Sequence, residues 1–135
     1  AVSGTTVING GTANFNGSAS TGGGSLSGGY LSGSGNLTIN GPLTWTGGSL
    51  TGAGAATIAN GGSLVISGSS DKSFSQRTIH NAGTLVWGGT GNLNSGSGAT
   101  INNLAGGVFD LQSDQSWIYN LGGALPVVNH AGTLQ

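Results

Sequence analysis

The chain has 135 residues, of which 4% are charged, with a net charge of −1 and no cysteine. One Lys and one Arg cannot neutralise a nucleic-acid backbone, and no apolar run approaches the ~18–20 residues that cross a membrane. Absence of cysteine excludes disulfides, thiolate metal sites and a cysteine nucleophile. Gly, Ser, Thr and Asn supply 75 of the 135 residues. At 35% hydrophobic, with Ile, Leu, Val and Trp regularly spaced, the chain still has material for a narrow core. It lacks both the high charge of disordered segments and the uniformity of a Gly/Ser linker.

In chain order, residues 1–36 are the least regular, and the stretch STGGGSLSGG at 20–29 reads as a loose loop. The chain starts Ala-Val-Ser-Gly without Met, which implies processing or excision from something longer. From there a Thr/Val-Ile-Asn element recurs. It stands as TVING ending at Gly10, LTING at 37–41, ATIANGG at 56–62, RTIHNAG at 77–83, ATINNLAG at 99–106 and PVVNHAG at 126–132. A short apolar run follows the corner in most copies: PLTW, SLVI, TLVW and GVFDL, then TLQ at the end. A third element, GGYLSGSG at 28–35, matches GGSLTGAG at 47–54 and, loosely, GNLNSGSG at 91–98.

Runs of three to five residues cannot form a core alone, and Gly and Asn interrupt every window where a helix period could develop. Repeats of this length instead predict stacked coils. The expected fold is all-β, a right-handed parallel β-helix (β-solenoid) forming one domain over 1–135. It would have about six coils of 19–26 residues and three short strands per coil. At the usual ~4.8 Å between strands the rod would be roughly 29 Å long. Residues 112–126 are the longest departure from the repeat and the expected excursion.

Stacking predicts ladders. Ile39, Ile58, Ile79 and Ile101 should form one buried file, and Leu43, Leu64, Leu85 and Val108 another. Side-chain alternation puts Trp45, Ile66 and Trp87 inside with the leucines. Asn40, Asn60, Asn81, Asn103 and Asn129 should form a ladder at the corners, where Asn tolerates left-handed backbone. Thr38, Thr57, Thr78 and Thr100 should point outward in file, a geometry that on paired arrays suits ice binding; here the file is single.

Chemistry-bearing residues are few. Asp110 and Asp114 could in principle be a glycosidase carboxylate pair, but both stand where turn residues are ordinary. Asp71 and Lys72 read as a loop tip. His80 and His130 flank corner asparagines roughly 10 Å apart along the rod, too far to share a metal, and no Glu or Cys accompanies them. The best binding candidate is SWIYN: with Ile118 inward, Trp117 and Tyr119 would face out beside Asp114 and Gln115, a set able to hold a sugar ring. The competing reading makes both aromatics core of an enlarged coil. No catalytic residue, cofactor or metal is expected.

The run NAGTLVWGGTGNLNSGSGATINNLAGGVFDLQSD, with the later NHAGTL, resembles repeats of large secreted bacterial β-helical surface proteins, adhesin-like and autotransporter-passenger-like. The resemblance covers roughly residues 27–135 and rests on repeat style. It implies export to the cell surface and a stalk, fibre or adhesive role. Partners would be flanking repeats of a longer chain, further copies of itself, or surface glycans. The acidic glycine-rich nonapeptides of calcium-binding β-rolls are missing.

Overall fold

The computed structural model describes residues 4–135, so the first three residues of the irregular amino-terminal segment lie outside the described residues. It is an all-β solenoid of about six turns, with every strand pair parallel and no helix among the described residues. The first turns use long strands, β1 (Thr5–Asn14) and β3 (Gly23–Ser32), with the short β2 (Ala19–Thr21) before β3. Four turns then carry three strands each: β4 (Leu37–Ile39), β5 (Pro42–Trp45) and β6 (Gly48–Leu50); β7 (Ala55–Ile58), β8 (Ser63–Ile66) and β9 (Lys72–Ser75). Next come β10 (Thr78–Asn81), β11 (Thr84–Trp87) and β12 (Leu93–Gly96), then β13 (Thr100–Asn103), β14 (Val108–Leu111) and β15 (Trp117–Tyr119). Strands β16 (Val127–His130) and β17 (Thr133–Leu134) complete the described structure.

Three faces result. The first stacks β3, β5, β8, β11, β14 and β17; the second stacks β3, β6, β9, β12 and β15; the third stacks β2, β4, β7, β10, β13 and β16. Strands β1 and β3 run across the first two faces without a corner, with register shifts at Ile8/Asn9 and Asn9/Thr12. The glycine-rich stretch 20–29 is therefore strand for most of its length, not a loose loop. Its glycines are required by closeness: a Cβ on Gly24, at φ +136°, would lie 1.8 Å from the Thr6 carbonyl oxygen of the preceding turn.

Register decides the ladders. Leu43, Leu64 and Leu85 stack as expected, and the next rung is Phe109 rather than Val108. Two glycines, Gly106 and Gly107, precede Val108 and move it one place back, opposite Thr84. A one-residue slip turns a side chain to the other face, so Val108 is half-buried while Phe109 is 3% exposed. Trp45, Ile66 and Trp87 are buried in one file above Leu26. Full burial of each such side chain contributes about 1.5–3 kcal/mol. The indole nitrogens of Trp45 and Trp87 make no hydrogen bond among the described residues.

The isoleucine file divides in two. Ile39 faces Ile58, and Ile79 faces Ile101, but between these turns the register moves by two residues. Ile79 sits over Ala56, and Asn81 sits over Ile58. A two-residue shift keeps every side chain on its own face, so all four isoleucines stay buried. The same shift breaks the threonine file, because Thr57 faces His80 while Thr78 faces Ala55.

The five-membered asparagine ladder is not formed. Asn40 and Asn60 are exposed at corners, whereas Asn81 and Asn103 are the inward last residues of their strands. Asn81 Nδ2 donates to Asn103 Oδ1 at 2.8 Å and to the Val108 carbonyl at 2.7 Å. Asn129 belongs to the outer surface, where its Nδ2 donates to Asn102 Oδ1 at 2.8 Å.

Candidate functional site

The carboxylates come first. Asp110 points outward from β14, and its Oδ2 accepts from Gln112 Nε2 at 2.7 Å. Asp114 is exposed in the connection before β15, and no hydrogen bond ties it to Asp110. Asp71 is a corner residue whose Oδ1 accepts from the Asn92 amide at 2.8 Å, while Asn92 Oδ1 accepts from the Ser116 amide one turn on.

Trp117 and Tyr119 take the opposite side from the sugar-binding expectation. They pair with Leu93 and Ser95, both buried, while Ile118 pairs with the outward Asn94. Strand alternation told which residues share a side, and stacking on Leu93 decided which side faces in. Trp117 packs 6.2 Å from Phe74 and edge-on at 6.5 Å from Trp87, and its indole N–H donates to the Ser95 hydroxyl. Tyr119, 46% exposed in the same inward row, donates its hydroxyl to the Gly123 carbonyl at 2.6 Å. Gln115 is half-buried, its amide bonded to Ser113 Oγ, so the four residues do not form one surface.

The histidines lie on opposite sides of one sheet. His80 faces outward, with Nδ1 3.2 Å from Asn102 Nδ2; His130 continues the inward row, with Nδ1 3.1 Å from Asn103 Nδ2. Among the described residues no group of three metal-capable side chains converges.

Sequence reasoning misplaced Lys72 and assigned Arg77 no position. Lys72 is not at a loop tip: it points into the core from β9, 1% exposed, between Gly48 and Leu93. Its Nζ donates to the Ser70 carbonyl at 2.6 Å. Burial pushes its pKa below the ordinary 10.5, and neighbouring Asp71 opposes that shift. The folded chain thus binds this proton less readily than the unfolded one. Stability should therefore rise with pH as the unfolded ammonium nears 10.5. Lys72→Met should flatten the rise in urea midpoint on the alkaline side; equal slopes in parent and variant would remove Lys72 as its source.

Arg77 is fully buried at the corner between the second and third faces. Its guanidinium donates to four backbone carbonyls of the two preceding turns: Nε to Thr51 at 2.7 Å, Nη1 to Ala55 at 3.1 Å and Gly35 at 3.4 Å, and Nη2 to Gly33 at 2.9 Å. Burial lowers its pKa. The planar fork of arginine suits several fixed acceptors at once.

One concave surface was also missed. A groove of about 300 Å³ crosses the outer side of the second face, lined by Tyr30, Ser49, Thr51, Ser73, Ser75, Ser97 and Leu121. Outward side chains at alternate positions in YLS, SLT and SFS, from β3, the β6 end and β9, supply most of its floor. That alternation of small hydroxyl residues was the available signal. No protein-family model matches the chain, and neither a curated protein nor a solved structure matches it.

Proposed function

We propose that the chain is a structural, adhesive β-solenoid of the bacterial cell surface, serving as a stalk segment of an adhesin or as a subunit that stacks end to end into a fibre. The observation that supports this reading is the parallel ladder of the first face, which runs from β1 through β3, β5, β8, β11 and β14 to β17. Each turn is held by its neighbours along the axis, which makes a rod whose stiffness is built in. Among the described residues β2, β15, β16 and β17 each pair with one neighbouring strand, and a strand paired on one side can accept a further strand on the other.

Electron microscopy with sedimentation velocity tests the stacking form. Rods that lengthen with protein concentration are the expected result. Particles one solenoid long at every concentration would remove the fibre and leave the stalk, whose signature is resistance of the stacked turns to protease while surface connections such as 112–116 are cut.

A further inference from the structure

We propose that the groove across β3, β6 and β9 binds a neutral polysaccharide, with a sugar ring stacked on Tyr30 and its hydroxyl groups bonded to Ser49, Ser73 and Ser97. The site is defined by what lines it. Tyr30, 52% exposed, and Leu121, 42% exposed, provide apolar surface at its margins. Between them the floor is hydroxyls. Ser49 pairs with Tyr30 in register and Ser73 with Ser49, so their outward side chains follow one another about 4.8 Å apart. The neighbouring row, Thr51 and Ser75, is tied by a 3.0 Å bond between the two hydroxyls, which holds that side of the floor in place.

A hydroxyl offers one donor and two acceptor positions, so this floor can match the mixed donors and acceptors of a sugar. It is also neutral. The lining includes no Asp, Glu, Lys, Arg or His. The two cations of this part of the chain, Lys72 and Arg77, turn inward and are bonded to backbone carbonyls. A charged ligand would therefore find no counter-ion here, whereas a neutral polyhydroxylated one finds partners throughout. The volume lies at the small end of ligand sites, roughly 300–1,000 Å³, which fits one or two rings of a longer polymer crossing the rod. The groove lies on the side of the rod and the proposed stacking is at its ends, so the inference does not depend on fibre formation.

Affinity electrophoresis tests it, in native gels containing hydroxyethylcellulose, galactomannan or glucomannan, with alginate as the acidic polymer and a polymer-free gel as reference. Retardation of the parent by at least one neutral polymer is the expected result. Tyr30→Ala should weaken that retardation about tenfold, the equivalent of about 1.4 kcal/mol, and Ser73→Val should weaken it as well. Tyr30 is exposed, so both proteins should melt together, which separates lost binding from lost folding. The proposal is overturned if no neutral polymer retards the parent, if only alginate does, or if Tyr30→Ala is retarded like the parent. Loss of binding in Trp117→Ala but not in Tyr30→Ala would place the site elsewhere and overturn it too. Self-stacking is read separately, from mobility in the polymer-free gel.

Discussion

Arg77→Ala is expected to lower the unfolding free energy by about 3–5 kcal/mol, through lost hydrogen bonds to a charged group and buried carbonyls left without that donor. The loss has two parts. Hydrogen bonds to a charged group are worth about 1.5–3 kcal/mol, and a buried acceptor left without a donor costs about 1–3 kcal/mol. Four carbonyls, at Gly33, Gly35, Thr51 and Ala55, accept from this one side chain, and that of Gly33 also accepts from the Gly54 amide at 3.2 Å. They belong to two different preceding turns, so the guanidinium fastens three turns at a single corner. Arg77→Lys keeps the charge but replaces the fork by a compact ammonium that cannot reach both turns, and should fall between parent and alanine. At about 3–4 °C per kcal/mol for a chain of this size, the alanine variant should melt ~10 °C or more below the parent in a circular-dichroism scan. A shift under ~2 °C would show that water or the corner backbone satisfies those carbonyls, and the clamp would be discarded.

Gly83→Ala should cost about 3 kcal/mol or more, at the upper end of overpacking effects. A Cβ there would lie 2.3 Å from the Ala59 carbonyl oxygen and 2.4 Å from that of Gly62, both backbone atoms of the turn below. Backbone cannot yield without opening the ladder between turns. Gly61 is the informative comparison. Its φ is +85°, yet a Cβ would meet nothing within 4 Å. Gly61→Ala should therefore cost only the left-handed penalty, about 1–2 kcal/mol. Chemical denaturation of the two variants separates crowding from backbone strain. Equal losses would mean that conformation, and not the approach of the turn below, governs these glycines. The same closeness recurs at Gly62, Gly107 and Gly132, whose added Cβ atoms would come within 2.2–2.3 Å of a carbonyl oxygen.

Much of the architecture was legible because the repeat is local. The Thr-Ile-Asn element, the apolar run after it and the glycines between them recur at nearly constant spacing, and parallel stacking is the arrangement in which each repeat can bury its apolar side. The inward leucines and Trp45, Ile66 and Trp87 followed from alternation within single strands. The proposed binding groove was less legible. SWIYN stood out through its aromatics, which the fold uses in the core, while the alternate serines and threonines of the groove looked like ordinary low complexity.

What the amino-acid sequence determined by itself was the coil, its approximate length and the sharing of sides within each strand, since these depend on nearest neighbours along the chain. Tertiary structure alone decided the register between turns and, with it, every cross-turn partner. Loop length sets register, and a shift by one residue exchanged Val108 for Phe109, while a shift by two put Asn81 over Ile58. Burial of Lys72 and Arg77 belongs to the same class. Arg77 enters the core where carbonyls from other turns meet it, and Lys72 is enclosed between Gly48 and Leu93 of the adjoining turns while bonding the Ser70 carbonyl of its own; both environments exist only after the turns have stacked.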